Sequence, residues 1–440
     1  MKHPHALTAL ILVSATMLLG ACSPEQEEHP LVGTFEDAEI WAGASIWTGE
    51  PAGLRENAAL VVRDGRVVFV YDLDERPLPE GIPYHDVSGK VIIPGLINAH
   101  GHVGMARGLE TGAAVHSEDN VRDQLRLYAH YGITGVASLG DEPPEAFQVR
   151  DRQDPARPHY ARLWLAGDVL NPDSPEAARA VVADAVHKNP DWLKIRVDDQ
   201  LGRREAMPGE VYEAVIEASH DHDKPLASHM VTLEDAKGLM RAGTDLLAHS
   251  VRDRPVDQVL IDLMRERDIC ITPTLTREVS VFVYAERPDF FDDPFFLEAA
   301  DEAVLEQLQR EEVQARFRGS DADYYREALP LAKENMMRLH RAGVRVAMGT
   351  DSGPPARFQG YFEHLEMAMM VEAGMTPEEV LISATRNAAA CMGLPEVGTL
   401  APGQWADFVV LSANPLISID NLREIDAVYL AGQAFESPYR

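Results

Sequence analysis

Apolar and polar positions follow two rhythms along this chain. Close to the start, Ala59-Leu60-Val61-Val62-Arg63-Asp64-Gly65-Arg66-Val67-Val68-Phe69-Val70 reads as two strands joined by an Asp-Gly hairpin turn. Ala406–Leu411 and Ala427–Gly432 repeat that β character near the end. Between them, short β-rich runs alternate with helical stretches. Val91–Ile97, Gly135–Leu139, Arg162–Leu165, Trp192–Val197, Pro225–His229, Asp245–His249, Ile269–Thr274 and Val344–Gly349 are eight candidate strands. Eight strand–helix alternations predict an α/β fold, a (β/α)8 TIM barrel over 95–394. The two β-rich ends, 35–94 and 395–440, then meet as one small β-sandwich domain. Helix starts agree: Thr376-Pro377-Glu378-Glu379 supplies an N-cap hydroxyl, a proline at the first helical position and a glutamate three residues past the cap. No internal repeat or low-complexity tract interrupts the pattern.

One apolar run stands apart. Leu7–Leu19 follows Lys2 and is 13 residues long, short of the ~20 needed to span a bilayer as a helix. Its proportions are those of a secretory signal. Leu19-Gly20-Ala21-Cys22 resembles the bacterial lipoprotein box, which implies removal of 1–21 and a lipid on Cys22. A buried helix or a cleaved soluble signal are the alternatives. Ser23 after the cysteine resembles outer-membrane sorting, and 22–34 reads as an acidic, polar tether. The expected location is therefore the periplasmic side of the cell envelope, with membrane contact only through the anchor.

Composition narrows the classes. At about 150 residues per domain, 440 residues suggest three domains, but a barrel of ~250 residues is a single one. A charged fraction of 25% excludes a polytopic membrane protein. The net charge is −31, and −32 without 1–21, which carries Lys2 and no acid; this repels phosphate and excludes broad nucleic-acid binding. A homo-oligomer is left open. Three cysteines exclude a disulfide scaffold. Cys270 sits between Ile269 and Ile271, and Cys391 between Ala390 and Met392, which predicts two buried thiols rather than a disulfide.

The chemistry gathers at predicted strand ends. His100 and His102 close the first strand two residues apart, hence on one face. His229 and His249 end the fifth and sixth strands, and Asp351 follows Met348-Gly349-Thr350. Alternation puts Trp192, Lys194 and Arg196 on one face of the fourth strand, where a buried lysine is costly unless its charge is used. His220-Asp221-His222 is a decoy: residues two apart on a helix do not share a face, so that pair is read as solvent-exposed. Arg252 and Arg277 could meet a substrate carboxylate or pair with Asp253 or Glu278. The phenylalanine-rich segment from Asp289 to Phe296 admits two roles, a lid or specificity wall and plain packing against the barrel.

At these residues the chain resembles the amidohydrolase superfamily, near its imidazolonepropionase-like and prolidase-like branch. Val91–His102 matches the first-strand motif, Trp192–Ile195 the segment whose lysine is carboxylated, and Ala248-His249-Ser250 and Gly349-Thr350-Asp351-Ser352 the sixth and eighth strands. Gly398–Leu411 resembles the return to the small β domain. The resemblance implies two divalent metal ions, zinc being expected: His100, His102 and Asp351 hold one, His229 and His249 the other, and carboxylated Lys194 bridges them beside a hydroxide. It also implies Asp351 as the proton shuttle. The expected activity is hydrolysis of a C–N bond in a dipeptide or N-acyl amino acid. Cyclic amide or imide hydrolysis, ester or phosphotriester hydrolysis, single-metal deamination and a non-catalytic lipid-anchored binder are the alternatives.

Overall fold

The β-rich ends of the chain join through one short strand. Val91–Pro94 pairs parallel with Glu39–Ile46 on one side and antiparallel with Phe408–Leu411 on the other. Arg55–Arg63 and Arg66–Asp72 extend the sheet from Glu39–Ile46, and Ile425–Leu430 extends it from Phe408–Leu411. The hairpin between the first two turns at Asp64 and Gly65, both at positive φ (52° and 74°), as an Asp-Gly turn requires. Trp41, Leu60, Ile92, Phe408 and Val410 form its apolar core. This computed structural model describes residue 35, residues 37–50 and residues 53–439; the signal segment, Cys22 and the tether lie outside the described residues. Among the described residues, no helix is long and apolar enough to cross a membrane.

The expected first strand, 91–97, is two strands. Gly95 breaks it: its N–H donates to Asp407 O, and a Cβ there would lie 2.0 Å from Thr134 Oγ1. Leu96–Gly101 then pairs parallel with Ile133–Ser138, which pairs with Arg162–Leu165. A second parallel set runs Leu193–Arg196, Leu226–His229, Leu246–Ala248 and Cys270–Thr272. Residues 344–349, expected as an eighth strand, make only a single bridge, Val346 to Ile271. Met348 explains why. Its N–H turns away to Ser383 O while its carbonyl accepts from Ala99 N–H, so a continuous ladder cannot form. Helices separate the parallel strands, as in Glu118–His130, Pro175–Val186, Gly209–Asp221 and Leu233–Ala242. The strand alternation is visible in the packing: Leu193, Ile195 and Val197 join the large apolar core, whereas Trp192 packs with Ile97, Ala99, Ala137 and Ala227 in a separate cluster.

Two linkages tie the strand starts to the rest. Arg162 makes a buried two-pronged ion pair with Asp407, Nε to Oδ2 at 2.6 Å and the terminal nitrogen to Oδ1 at 3.0 Å. Cys270 and Cys391 form a disulfide, which corrects the expectation of two free thiols. Both are buried as expected, but a strand start and the end of the Ala388–Cys391 helix bring them together with Cα atoms 5.8 Å apart. They are separated by 121 residues, and closing so long a loop restricts the unfolded chain by up to about 5 kcal/mol. A Cys270→Ser/Cys391→Ser variant should therefore show a clearly lower denaturant midpoint, matched by the wild-type protein after reduction. Unchanged midpoints in both would contradict it.

The Asp289–Phe296 segment packs rather than standing free. Phe291 and Phe296 are almost fully buried in an aromatic cluster with Tyr131, Tyr284, Tyr361 and Phe362. His220 and His222 are exposed at the end of the Gly209–Asp221 helix, with His220 Nε2 2.9 Å from Asp245. The Thr376 capping box forms as expected.

Candidate active site

A cavity of about 250 Å³ opens at the C-terminal ends of the parallel strands, and His100, His102, Lys194, His229, His249 and Asp351 all line it. Asp351 Oδ1 lies 2.7 Å from His102 Nε2 and 4.0 Å from His100 Nε2. One ligand atom from each of His100, His102 and Asp351 falls within a 4.8 Å group that could hold a metal ion. Lys194 Nζ is 3.4 Å from His100 Nε2. The rings of His100 and His249 have centroids 4.8 Å apart, and those of His229 and His249 4.2 Å.

The imidazoles are held from behind. His102 Nδ1 lies 2.8 Å from Gly140 O, His249 Nδ1 2.7 Å from Thr274 Oγ1, and His100 Nδ1 3.4 Å from Thr272 Oγ1. With Nδ1 occupied, the Nε2 lone pair is left for the cavity, which is how metal-binding histidines are oriented. His229 is the exception: its Nε2 faces Asp198 Oδ2 at 3.0 Å, leaving Nδ1. Burial holds His100 and His249 well below the usual imidazole range and pushes His229 down to about 3, so these rings are neutral, as metal ligands must be. Burial pushes Lys194 down to about 7. Burial would raise Asp351, but the Arg357 charge and the His102 hydrogen bond outweigh it and hold the carboxylate well below its ordinary range. These donors fit a divalent cation: neutral imidazoles and an ionised carboxylate converge in a buried pocket.

Backbone strain is present at the site. His249, Thr274 and Asp351 all adopt positive φ (78°, 50° and 57°), which non-glycine residues hold only when their surroundings enforce it. The enforcement at Asp351 comes from Glu363, fully buried, whose Oε1 accepts at 2.6 Å each from Asn98 Nδ2, Thr350 Oγ1 and Ser352 Oγ. The first strand is thereby locked to the 350–352 turn. Gly349 is required at this joint, since a Cβ there would lie 2.8 Å from His100 Cβ. One turn further along the same helix, Glu366 accepts from Leu275 N–H, Thr276 N–H and the Thr276 hydroxyl.

Burial pushes Glu366 up to about 7 from an ordinary 4.5 in spite of those bonds. The folded protein then holds this proton to higher pH than the unfolded chain does. Its stabilising effect is complete below about 4.5 and is lost as pH rises towards 7. Unfolding free energy measured across that window should fall with pH, and Glu366→Gln should flatten the slope. A slope unaffected by the substitution would contradict the assignment.

The arginines divide. Arg277 lines the cavity, with Nε 3.9 Å from Asp351 Oδ2 and a terminal nitrogen 3.4 Å from Glu278 Oε2. Of the two roles open to Arg252, the structure shows the ion pair: it is buried against Glu278 Oε1 at 2.6 Å and Tyr325, and it does not line the cavity. Arg357 and Asp198 line the cavity without having been singled out in the sequence, and Arg196 lines it although only its strand face was read there. Arg357 bonds Asp351 Oδ2 at 2.6 Å; it lies in a loop, and no periodicity marks it. Asp198 follows the fourth strand. Arg196 shares the face of Lys194, and that alternation was its available signal.

Residues 91–435 match the amidohydrolase family. The chain belongs to that family. Ochratoxinase of Aspergillus niger is 25% identical over 94% of this chain and 90% of its own length. Imidazolonepropionase of Streptomyces griseus is 24% identical over 88% of this chain and 95% of its own. Among solved structures, a Xaa-Pro dipeptidase with bound methionine superposes with a TM-score of 0.74 at 19% identity, covering 91% of this chain and all of that one. The chain is a hydrolase acting on carbon–nitrogen bonds, of a family that usually binds metal, with a His-His-Asp cluster in its cavity.

Proposed function

We propose that this protein cleaves the amide bond of a small substrate, a dipeptide or an N-acyl amino acid, at a two-metal site. The observation that carries the reading is the convergence of four histidines, Lys194 and Asp351 on one small cavity with Arg277 beside them. The fold reading that goes with it is a closed eight-membered barrel. The hydrogen bonds of 344–352 to both Ile271 and His100 support closure, and the shared apolar core of Trp41, Leu60, Ile92 and Phe408 supports a sandwich.

His100, His102 and Asp351 would hold one divalent ion, His229 and His249 a second, and carboxylated Lys194 both. Zinc suits imidazole and carboxylate donors. The low basicity of Lys194 supports carboxylation, because the unprotonated amine is the form that adds carbon dioxide. When bound, the ions polarise the substrate carbonyl and acidify water. Asp351, ionised, takes a proton from the attacking water and returns it to the leaving nitrogen, so water is split across the C–N bond. Arg277 orients a substrate carboxylate. Arg357, on the opposite oxygen of Asp351 from His102, fixes the carboxylate's rotation. A cavity of about 250 Å³ suits a ligand of dipeptide size.

We propose further that the protein is exported and anchored by lipid on Cys22. The Cys270–Cys391 disulfide supports an oxidising compartment. The function is tested by a hydrolysis screen on zinc-reconstituted protein lacking 1–21. Turnover of dipeptides, N-acyl amino acids or cyclic imides is expected. Esters and phosphotriesters cleaved well, with every amide left intact, would sink the proposal.

A further inference from the structure

We propose that Arg196 selects substrates carrying two carboxylates, the class of N-acylated or dipeptidic glutamate and aspartate. The inference rests on the amide-hydrolase reading above and deepens it. Arg196 ends the Leu193–Arg196 strand in register with His229, and its side chain lines the same cavity. It is partly buried, and among the described residues its guanidinium has no hydrogen-bond or ion-pair partner.

The neighbouring charges are already engaged. Arg357 takes Asp351 Oδ2, and Arg252 takes Glu278 Oε1. Asp198, two residues past Arg196, spends Oδ2 on His229 and Oδ1 on Gln200 N–H. Asp141 stands on the exposed rim and accepts from Val169 N–H at 3.3 Å. Arg196 therefore brings five donors to the cavity wall and, among the described residues, gives none of them to an acceptor there. A guanidinium in that position is built for a planar anion, which it binds through two parallel bonds.

A second anion site follows from Glu278. Its single charge is shared by Arg252 at 2.6 Å and Arg277 at 3.4 Å, so Arg277 keeps donor capacity towards the cavity. A substrate then meets two cations in the cavity, Arg277, whose Nε lies 3.9 Å from Asp351 Oδ2, and Arg196, in strand register with His229. Each guanidinium can take one carboxylate through two parallel bonds. An acidic amino acid supplies two on one small frame, and a cavity of about 250 Å³ admits its N-acetyl derivative.

The experiment compares kcat/KM on the zinc-reconstituted protein for N-acetyl-glutamate, N-acetyl-aspartate, Gly-Glu and their isosteric amides N-acetyl-glutamine, N-acetyl-asparagine and Gly-Gln. The acid should exceed its amide by at least about 100-fold, because the amide leaves a charged donor unanswered. In Arg196→Met that ratio should collapse towards one through a higher KM for the acids, and Arg196→Lys should restore part of it. A ratio near one in the wild type, or a large ratio that survives Arg196→Met, overturns the inference while leaving amide hydrolysis standing. No turnover of any amide alongside cleaved esters overturns both.

Discussion

Replacing Asp351 by asparagine is expected to lower kcat by about 10²–10⁴-fold, the range spanned by removal of a positioned acid–base group. The substitution isolates the proton. Asparagine keeps the shape of the side chain and one acceptor oxygen, and like aspartate it tolerates the positive φ of 57° found at this position better than most non-glycine residues. The backbone locked by Glu363 therefore has no reason to move. What disappears is the ionised carboxylate that Arg357 and His102 hold in its charged form. The variant should fold normally and retain much of its metal through His100 and His102 while losing turnover. Steady-state kinetics beside a metal determination decide it, and unchanged kcat would refute the proton shuttle.

The second large effect is expected at Lys194. Lys194→Ala should abolish binding of one ion and reduce kcat by more than about 10²-fold, since loss of mere supporting partners around a metal already costs 10–100-fold. A fold defect is the competing explanation, and Lys194→Met separates the two. The side chain is buried and, among the described residues, makes no ion pair; it lies 3.4 Å from His100 Nε2. In the metal-free, uncarboxylated protein an apolar chain of similar volume relieves the desolvation of the amine, so metal-free Lys194→Met should be at least as stable as metal-free wild type. Equal or greater thermal stability with lost turnover assigns the effect to chemistry. Retained turnover in the methionine variant would remove Lys194 from the mechanism.

Much of this arrangement was legible because strand alternation fixes direction as well as position. A polar residue at the end of a β-run, such as His229 after Pro225-Leu226-Ala227-Ser228, has few places to point once the run is assigned to a parallel strand. The same rule put Lys194 on the cavity side, and the six strand-end residues do line one cavity. Alternation fails where the backbone departs from the pleat. Gly95 splits one expected strand, and the diverted N–H of Met348 keeps another from forming a ladder. It is also silent on partners. Arg252 and Arg277 look alike in sequence, yet the single carboxylate of Glu278 draws one into the interior and leaves the other at the cavity. Apolar flanks announced that Cys270 and Cys391 are buried, but not that two elements 121 residues apart bring them into bonding distance. Arg357 belongs to a loop, where no period applies.

A two-metal site built on Lys194 is decided by metal content. Wild-type protein and Lys194→Met, each reconstituted with zinc and bicarbonate and freed of excess, would be analysed by elemental mass spectrometry. About two ions per wild-type chain and no more than about one per variant chain are expected, with activity lost in step. Equal metal content in both proteins, with turnover intact in the variant, would contradict it.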